Sequence, residues 1–364
     1  MKKAGAISLI IVLSLLITSV GFISASTITV CSSGCDYNKI QDAVNAASTG
    51  DVINVGAGSY TESITVNKSV EINGDNTKLN PLPGNYAFKI KSNNVKIKNF
   101  NITTSGAITG GAIMIENADF VDILNNIITT NANGFIGIWI CGSNNRCDGT
   151  TDLNIKDNTI TIKDKATGIY ADNSNPSHFN WLIENNKIKA SNSGVSIELY
   201  DVKKVIVRNN IFDLSGSVNF VYSSEDSNVS NLDLTDNSFL GNGNVTGATP
   251  TVWIESNFIK GDHDTFVDDI LINKNKFYNW VNSGIRIGET GGSGTYNNVQ
   301  NVVMNYNNFY SGTGPAIKND VNTKMFDAKN NFWGKCNGPE PIGSGFEASG
   351  NLSYSPWIGI CITN

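Results

Sequence analysis

The sequence predicts an all-β fold: a single-stranded, right-handed parallel β-helix of about ten coils, with an N-terminal helical cap and a C-terminal cap. Three observations carry that reading. A short phrase recurs along the chain, its apolar positions alternate with period two, and one Asn keeps its place in every copy.

The phrase reads VIVRNNIF at 205–212 and returns as VDILNNII (121–128), LNIKDNTI (153–160), WLIENNKI (181–188), LDLTDNSF (232–239), ILINKNKF (270–277), VVMNYNNF (302–309) and MFDAKNNF (325–332). In register, its Asn falls at Asn126, Asn158, Asn186, Asn210, Asn237, Asn275, Asn307 and Asn330, at intervals of 32, 28, 24, 27, 38, 32 and 23 residues. Repeats of roughly 20–50 residues mean a solenoid or a propeller, and most of these intervals are too short for the about 40–45 residues of a propeller blade. The runs of Val, Ile, Leu and Phe are too short for helices and alternate as half-buried strands do. Asn tolerates left-handed backbone, and at a strand spacing of roughly 4.8 Å stacked amides can bond one another. An asparagine ladder inside the solenoid is the expected result.

The chain divides into a signal peptide at 1–25, an N-terminal cap at 26–50, the β-helix at 51–335 and a C-terminal cap at 336–364. Lys2 and Lys3 precede an apolar run from Ala6 to Ile23, and Ser24-Ala25-Ser26 supplies small residues for cleavage, with an uncleaved anchor as the alternative that the Gly and Ser interruptions disfavour. The mature chain has no further apolar stretch of membrane length. An exported chain with six cysteines suggests disulfides. Cys31 and Cys35 can close one local loop and Cys141 and Cys147 another, leaving Cys336 and Cys361 to tie the last coil to the tail. Five Asn-x-Ser/Thr sequons, at Asn67, Asn101, Asn228, Asn244 and Asn351, fit an exported surface. Residues 36–48 read as an amphipathic helix, with Asp36 as N-cap, Ile40, Ala43, Val44 and Ala47 as the apolar stripe and Gly50 as the stop. A solenoid end needs such a cap, because it otherwise exposes apolar side chains and unpaired strand edges.

A net charge of −6 argues against nucleic-acid binding, and two histidines are too few for a His-rich metal centre. The 35 glycines against 8 prolines suit many tight turns between short strands.

The opening, a short helix followed by GDVINV and GAGSYTESITV, resembles the start of pectin-lyase-like superfamily proteins. Gly58-Ser59-Tyr60-Thr61-Glu62 matches a phrase that pectin methylesterases carry there, but their QDTL, DFIFG and LGRPW phrases are absent. The end, NNFWGKCNGPEPIGSGFEASGNLSYSPWIG, resembles the terminal coil of prokaryotic β-helix surface proteins, common among archaeal ones. Trp333, Gly338-Pro339 and Ser355-Pro356-Trp357 carry that likeness, and the two tryptophans read as cap packing. These likenesses imply architecture; they do not carry a catalytic motif.

A second row of strands lies between the Asn-bearing ones: IMIE (113–116), IWIC (138–141), IYAD (169–172), VSIE (195–198), FVYS (220–223), VWIE (252–255) and IRIG (285–288). With first and third residues inside, the second and fourth face outward. The second column is then Met114, Trp139, Tyr170, Ser196, Val221, Trp253 and Arg286; the fourth is Glu116, Cys141, Asp172, Glu198, Ser223, Glu255 and Gly288. Trp139, Tyr170, Trp253 and Glu255 suit a sugar polymer, aromatic faces taking the apolar side of the ring and carboxylates its hydroxyls. Asp172 and Glu198 are the candidate catalytic pair, on successive coils and roughly 5 Å apart, a spacing that suits retaining glycosidase chemistry or Ca²⁺. Arg286, read as two coils from Glu198, is the candidate base of a lyase. Aromatics also favour sheet faces with no ligand at all.

Asp262, Asp264, Asp268 and Asp269 crowd the stretch GDHDTFVDD as a candidate Ca²⁺ loop or a solvated acidic turn. Asp268-Asp269, His263 and Arg286 resemble fragments of polygalacturonases, but their order differs and neither Gly-His-Gly nor Arg-x-Lys occurs. His178 reads as a loop residue. The expected protein is exported to the cell surface and offers an aromatic and acidic face to a polysaccharide or envelope glycan. Its alternatives are a lyase or hydrolase of acidic glycans and a purely structural envelope or adhesion protein. No motif demands a cofactor, and Ca²⁺ is the ion its carboxylates would take.

Overall fold

The computed structural model describes residues 25–104, 111–131, 136–141, 147–163, 166–172, 174, 177–190, 194–213, 217–220, 228–241, 250–257, 266–290, 299–321 and 323–359. The expected leader (to residue 24), Asp262, His263, Asp264 and Cys361 lie outside those residues, as do Val221 and Ser223; of Glu255 only the backbone is described.

Each coil runs through three short strands, and each strand pairs in parallel with its counterpart one coil on. The pairing forms one sheet of 21 strands and another of 11. The larger sheet contains two faces, because in most coils a single residue turns the chain from one strand to the next. That residue is Asn125, Asp157, Asn185, Asn209, Asp236, Lys274, Tyr306 or Asn330, with φ between +53° and +58°. Asn and Asp accept this left-handed conformation at least cost, which explains six of the eight positions; Lys274 and Tyr306 adopt it under the constraint of neighbouring coils.

The next residue forms the ladder. Asn126, Asn158, Asn186, Asn210, Asn237, Asn275, Asn307 and Asn331 are buried. At a typical rung, Oδ1 of Asn210 accepts from the backbone N–H of Asn186 at 2.8 Å and from its Nδ2 at 3.0 Å. Nδ2 of Asn210 donates onward to Oδ1 of Asn237 at 3.1 Å and back to the Ile183 carbonyl at 2.9 Å. Every polar atom of the side chain is thereby partnered inside an apolar core, as burial requires. The last rung is Asn331, not Asn330: Asn307 bonds Asn331 Oδ1, and Asn330 is the left-handed residue. The run Lys329-Asn330-Asn331 fits either register, and the buried Trp333, rather than Phe332, decides it.

After each rung comes an inward anchor. Phe212, Phe239, Phe277 and Phe309 stack with centroids 4.9, 4.8 and 4.9 Å apart, close to the strand spacing. Trp333 continues the column at 5.7 Å.

The helix is Ile40–Ala46, shorter than the predicted 36–48, and buries Ile40, Ala43 and Val44. Its N-cap is Lys39 rather than Asp36. Glu62 holds the first turn instead, its two oxygens each 3.1 Å from the N–H groups of Ile40 and Gln41. A carboxylate at a helix N-terminus satisfies orphan donors and opposes the positive dipole end. Tyr60 O–H donates to the Gly56 carbonyl at 3.1 Å. The Gly-Ser-Tyr-Thr-Glu phrase therefore builds the cap. At the other end Trp333 is fully buried and Trp357 packs against the core. Gly338 cannot be replaced there, because its φ is +89° and a Cβ would lie 2.6 Å from the Trp357 ring.

Candidate functional site

The 11-stranded sheet presents the outward column that the sequence singled out, in a corrected register. The strands Gly111–Ile115, Ile136–Ile140 and Thr167–Ala171 place Met114, Trp139 and Tyr170 side by side. The strand Val195–Leu199 continues with Ile197 opposite Ile169, so the neighbour of Tyr170 is Glu198, not Ser196. Asn219 follows in place of Val221, then Trp253, Arg286 and Lys318. Both errors are slips of two residues. Glu198 still points outward, while Ser196 is buried, because the alternation breaks within the strand: Val195 and Glu198 are half-buried and the two residues between them are buried.

The correction separates the two candidate acids. Asp172 now lies opposite Tyr200, one place beyond the Ala171–Leu199 pair, and Glu198 lies opposite Tyr170. The acids are diagonal neighbours, roughly 7–8 Å between backbone positions, rather than direct ones. The expected direct pairing across adjacent strands, roughly 5 Å between backbone positions, does not hold. Arg286 is three strands from Glu198, by way of Asn219 and Trp253, so the site does not bring it to the acid pair.

The acids join the aromatics in one network. Trp139 Nε1–H donates to Asp172 Oδ2 at 2.7 Å, and Tyr200 O–H donates to Glu198 Oε1 at 2.7 Å. Tyr170 also bonds Asp172, and Thr167 bonds Glu198. The rings of Tyr86, Trp139, Tyr170 and Tyr200 follow one another at 6.4, 6.3 and 5.6 Å, the last two pairs edge to face. Burial among them pushes the carboxyls of Asp172 and Glu198 above their usual range, against the donors that bond them. Burial likewise raises the Tyr170 and Tyr200 hydroxyls, which stay neutral donors.

His178 supports this network from behind. It opens the strand His178–Glu184 and is wholly buried, so it is no loop residue. Its Nδ1 accepts from the Thr150 N–H at 2.9 Å, which puts the ring proton on Nε2, 2.9 Å from the Asp172 carbonyl. Burial holds its pKa down, at about 4. Tyr86 and Tyr200 stand outside the sequence-predicted site, and His178 reads in the sequence as a loop residue. Tyr200 was findable, since it follows Glu198 by two residues on the same face; His178 carried no repeat signal.

Farther along the sheet the face changes character. Arg286 lies 5.5 Å over the Trp253 ring, and its Nε bonds Asp320 Oδ2 at 2.6 Å. Lys318 Nζ takes the other oxygen of Asp320 at 3.0 Å. On the opposite flank, Lys89 and Lys91 share Glu116, at 2.6 and 3.4 Å. Glu255 pairs with Gly288 in the same sheet.

The acidic stretch is elsewhere. Asp268 and Asp269 sit within the strand Phe266–Asn273 of the larger sheet, not in a loop. Oδ1 of Asp268 accepts from the Asp269 N–H at 2.9 Å and from Asn301 Nδ2 at 2.7 Å. Asp269 borders a groove of about 510 Å³ with Lys204, Ile206, Asp233, Leu271 and Val303.

Disulfides join Cys31 to Cys35 and Cys141 to Cys147, with Cα–Cα distances of 5.5 and 5.6 Å. Cys336 is disulfide-bonded too. The Cys141–Cys147 bridge flanks the acid network, Cys141 standing next to Asp172 in the outward column. Among the described residues, no helix is long and apolar enough to cross a membrane.

No family model matches the chain. A cell surface glycoprotein of Methanothermus fervidus is 33% identical over 138 residues, 36% of this chain. The match spans 22% of that protein's length. An alginate lyase from Paenibacillus sp. superposes with TM-score 0.55 at 16% identity, covering 92% of this chain and 99% of that one. The tailspike protein of E. coli bacteriophage HK620, solved with a pentasaccharide, superposes with TM-score 0.56 at 13% identity, covering 86% of this chain and 60% of its own. Identities this low speak to architecture, and there the agreement is plain: the chain is a right-handed parallel β-helix.

Proposed function

We propose that the protein is exported and presents the outward face of its 11-stranded sheet as a polysaccharide-binding surface at the cell envelope. The observation that carries this reading is the run Tyr86, Trp139, Tyr170, Tyr200, with Asp172 and Glu198 bonded into it. The half-buried rings of Tyr86, Trp139 and Tyr170, backed by the buried Tyr200, offer apolar patches to sugar rings, and the fixed acids offer acceptors to hydroxyls at small entropic cost. The disulfides and the resemblance to a cell surface glycoprotein support export and a surface location. A lyase and a tailspike solved with a sugar share the architecture, which makes the reading reasonable by analogy alone.

A hydrolase is the second reading, and the raised carboxyls favour it.

The test is affinity chromatography of the mature protein on immobilised polysaccharides, with digests followed for new reducing ends and for unsaturated uronate. Retention lost in Trp139→Ala, with no product formed, is the expected result. Reducing ends would establish the hydrolase instead, and unsaturated product a lyase. Neither retention nor product would leave a structural wall protein.

A further inference from the structure

Resting on that reading, we propose that this face takes a glycan free of acidic groups and rejects polyuronates and other polyanions. The ground is how the charges of the sheet are partnered. Among the described residues, Asp172 and Glu198 receive neutral donors: an indole N–H, tyrosine hydroxyls and a threonine hydroxyl. Among the described residues, no Lys or Arg bonds either of them.

The cations of the face stand apart and are already engaged. Lys89 and Lys91 hold Glu116, while Arg286 and Lys318 hold Asp320. Their columns lie two strands before Trp139 and three beyond Glu198. At a strand spacing of roughly 4.8 Å, three strands put each roughly 14 Å or more from the acids, beyond the Debye length of about 8 Å at physiological salt. Among the described residues no unengaged cation stands beside them, so a polyuronate lying on the aromatic run would meet two carboxylates there and none of these cations to pair. A glycan with hydroxyls alone would find acceptors instead. The groups facing the acid pair from neighbouring strands add no positive charge: Glu116 is acidic, Tyr86, Tyr170 and Tyr200 are neutral, and His178 is buried. Lower pH neutralises the acids and should narrow the discrimination.

The experiment compares matched polymers that differ chiefly in carboxyl charge: hydroxyethyl against carboxymethyl cellulose, and fully methyl-esterified against de-esterified homogalacturonan. In whichever pair is retained, the uncharged member should bind on the order of tenfold more tightly at low salt. Raising the salt from about 0.01 M to about 1 M, which shortens the Debye length from about 30 to about 3 Å, should raise retention of the acidic member and leave the other unchanged. Asp172→Asn and Glu198→Gln should also raise it, with melting temperature checked for each; Asn keeps the acceptor that Trp139 needs. Equal or tighter retention of the acidic member at low salt would overturn the inference while the binding surface stands. If no polymer is held, or if Trp139→Ala retains as well as the native protein, the binding reading fails and the inference falls with it.

Discussion

The inside and the outside of one coil follow different rules. At Asn210 the interior repeats a bonding pattern also made at Asn186 and Asn237, and each rung supplies the acceptor for the rung before it. At Tyr170 and Glu198 the exterior repeats nothing: each strand offers a different side chain, and the network forms across them. A ladder position admits one residue type, because any other leaves neighbouring donors buried without acceptors. An outward position admits whatever the face is used for. The teaching is that the fold is written in the inward columns and its use in the outward ones, so the two should fail separately.

The largest effect should come from the interior. Phe239→Ala opens the middle of the stacked column between Phe212 and Phe277 and should cost about 3–5 kcal/mol, read as a fall in melting temperature or denaturation midpoint. Asn210→Ala strands the Asn186 donors and the Ile183 carbonyl, and about 2–4 kcal/mol is expected. A near-neutral result would show that water or rearranged backbone can replace a rung.

His178 joins the two regions, and pH isolates it. Its folded pKa of about 4 lies below the ordinary value of 6.5, so the folded state binds fewer protons between them. Stability should therefore be full above about pH 6.5 and be lost as pH falls toward 4, by on the order of 3 kcal/mol. Asp172 and Glu198, with raised pKa values, act in the opposite sense, favouring the fold as they protonate. His178→Gln should flatten the acid limb of a melting-temperature profile. An unchanged limb would mean that other groups set it.

The smallest effect belongs to the far end of the face. Arg286→Ala removes a partly exposed pair with Asp320 and should cost less than about 1 kcal/mol. If it abolished glycan retention, the binding surface would extend to Trp253 and Arg286, as the aromatic column suggested.

The difference between the regions also explains what the sequence made legible. The ladder could be read from Asn126 to Asn307 because the same residue must recur in every coil, and it slipped only where Asn330 and Asn331 adjoin. The outward column slipped by two at Glu198 and Asn219, since nothing outside the barrel repeats to fix it. Trp139, Tyr170 and both acids stood out in the sequence while Tyr86 and Tyr200 did not, and the mutual positions of the acids were misread because a diagonal and a direct neighbour differ only in register. Capping by Glu62 was missed for a related reason: the residue is 22 positions from the helix it holds.

The most direct test sets Trp139→Ala beside Phe239→Ala, with melting temperature and polysaccharide retention measured on the same preparations. Trp139→Ala should lose retention while melting close to the native protein, and Phe239→Ala should melt far lower. A Trp139 variant that melts as low as the Phe239 variant, or that is retained as the native protein is, would contradict the division between an interior that makes the fold and a face that uses it.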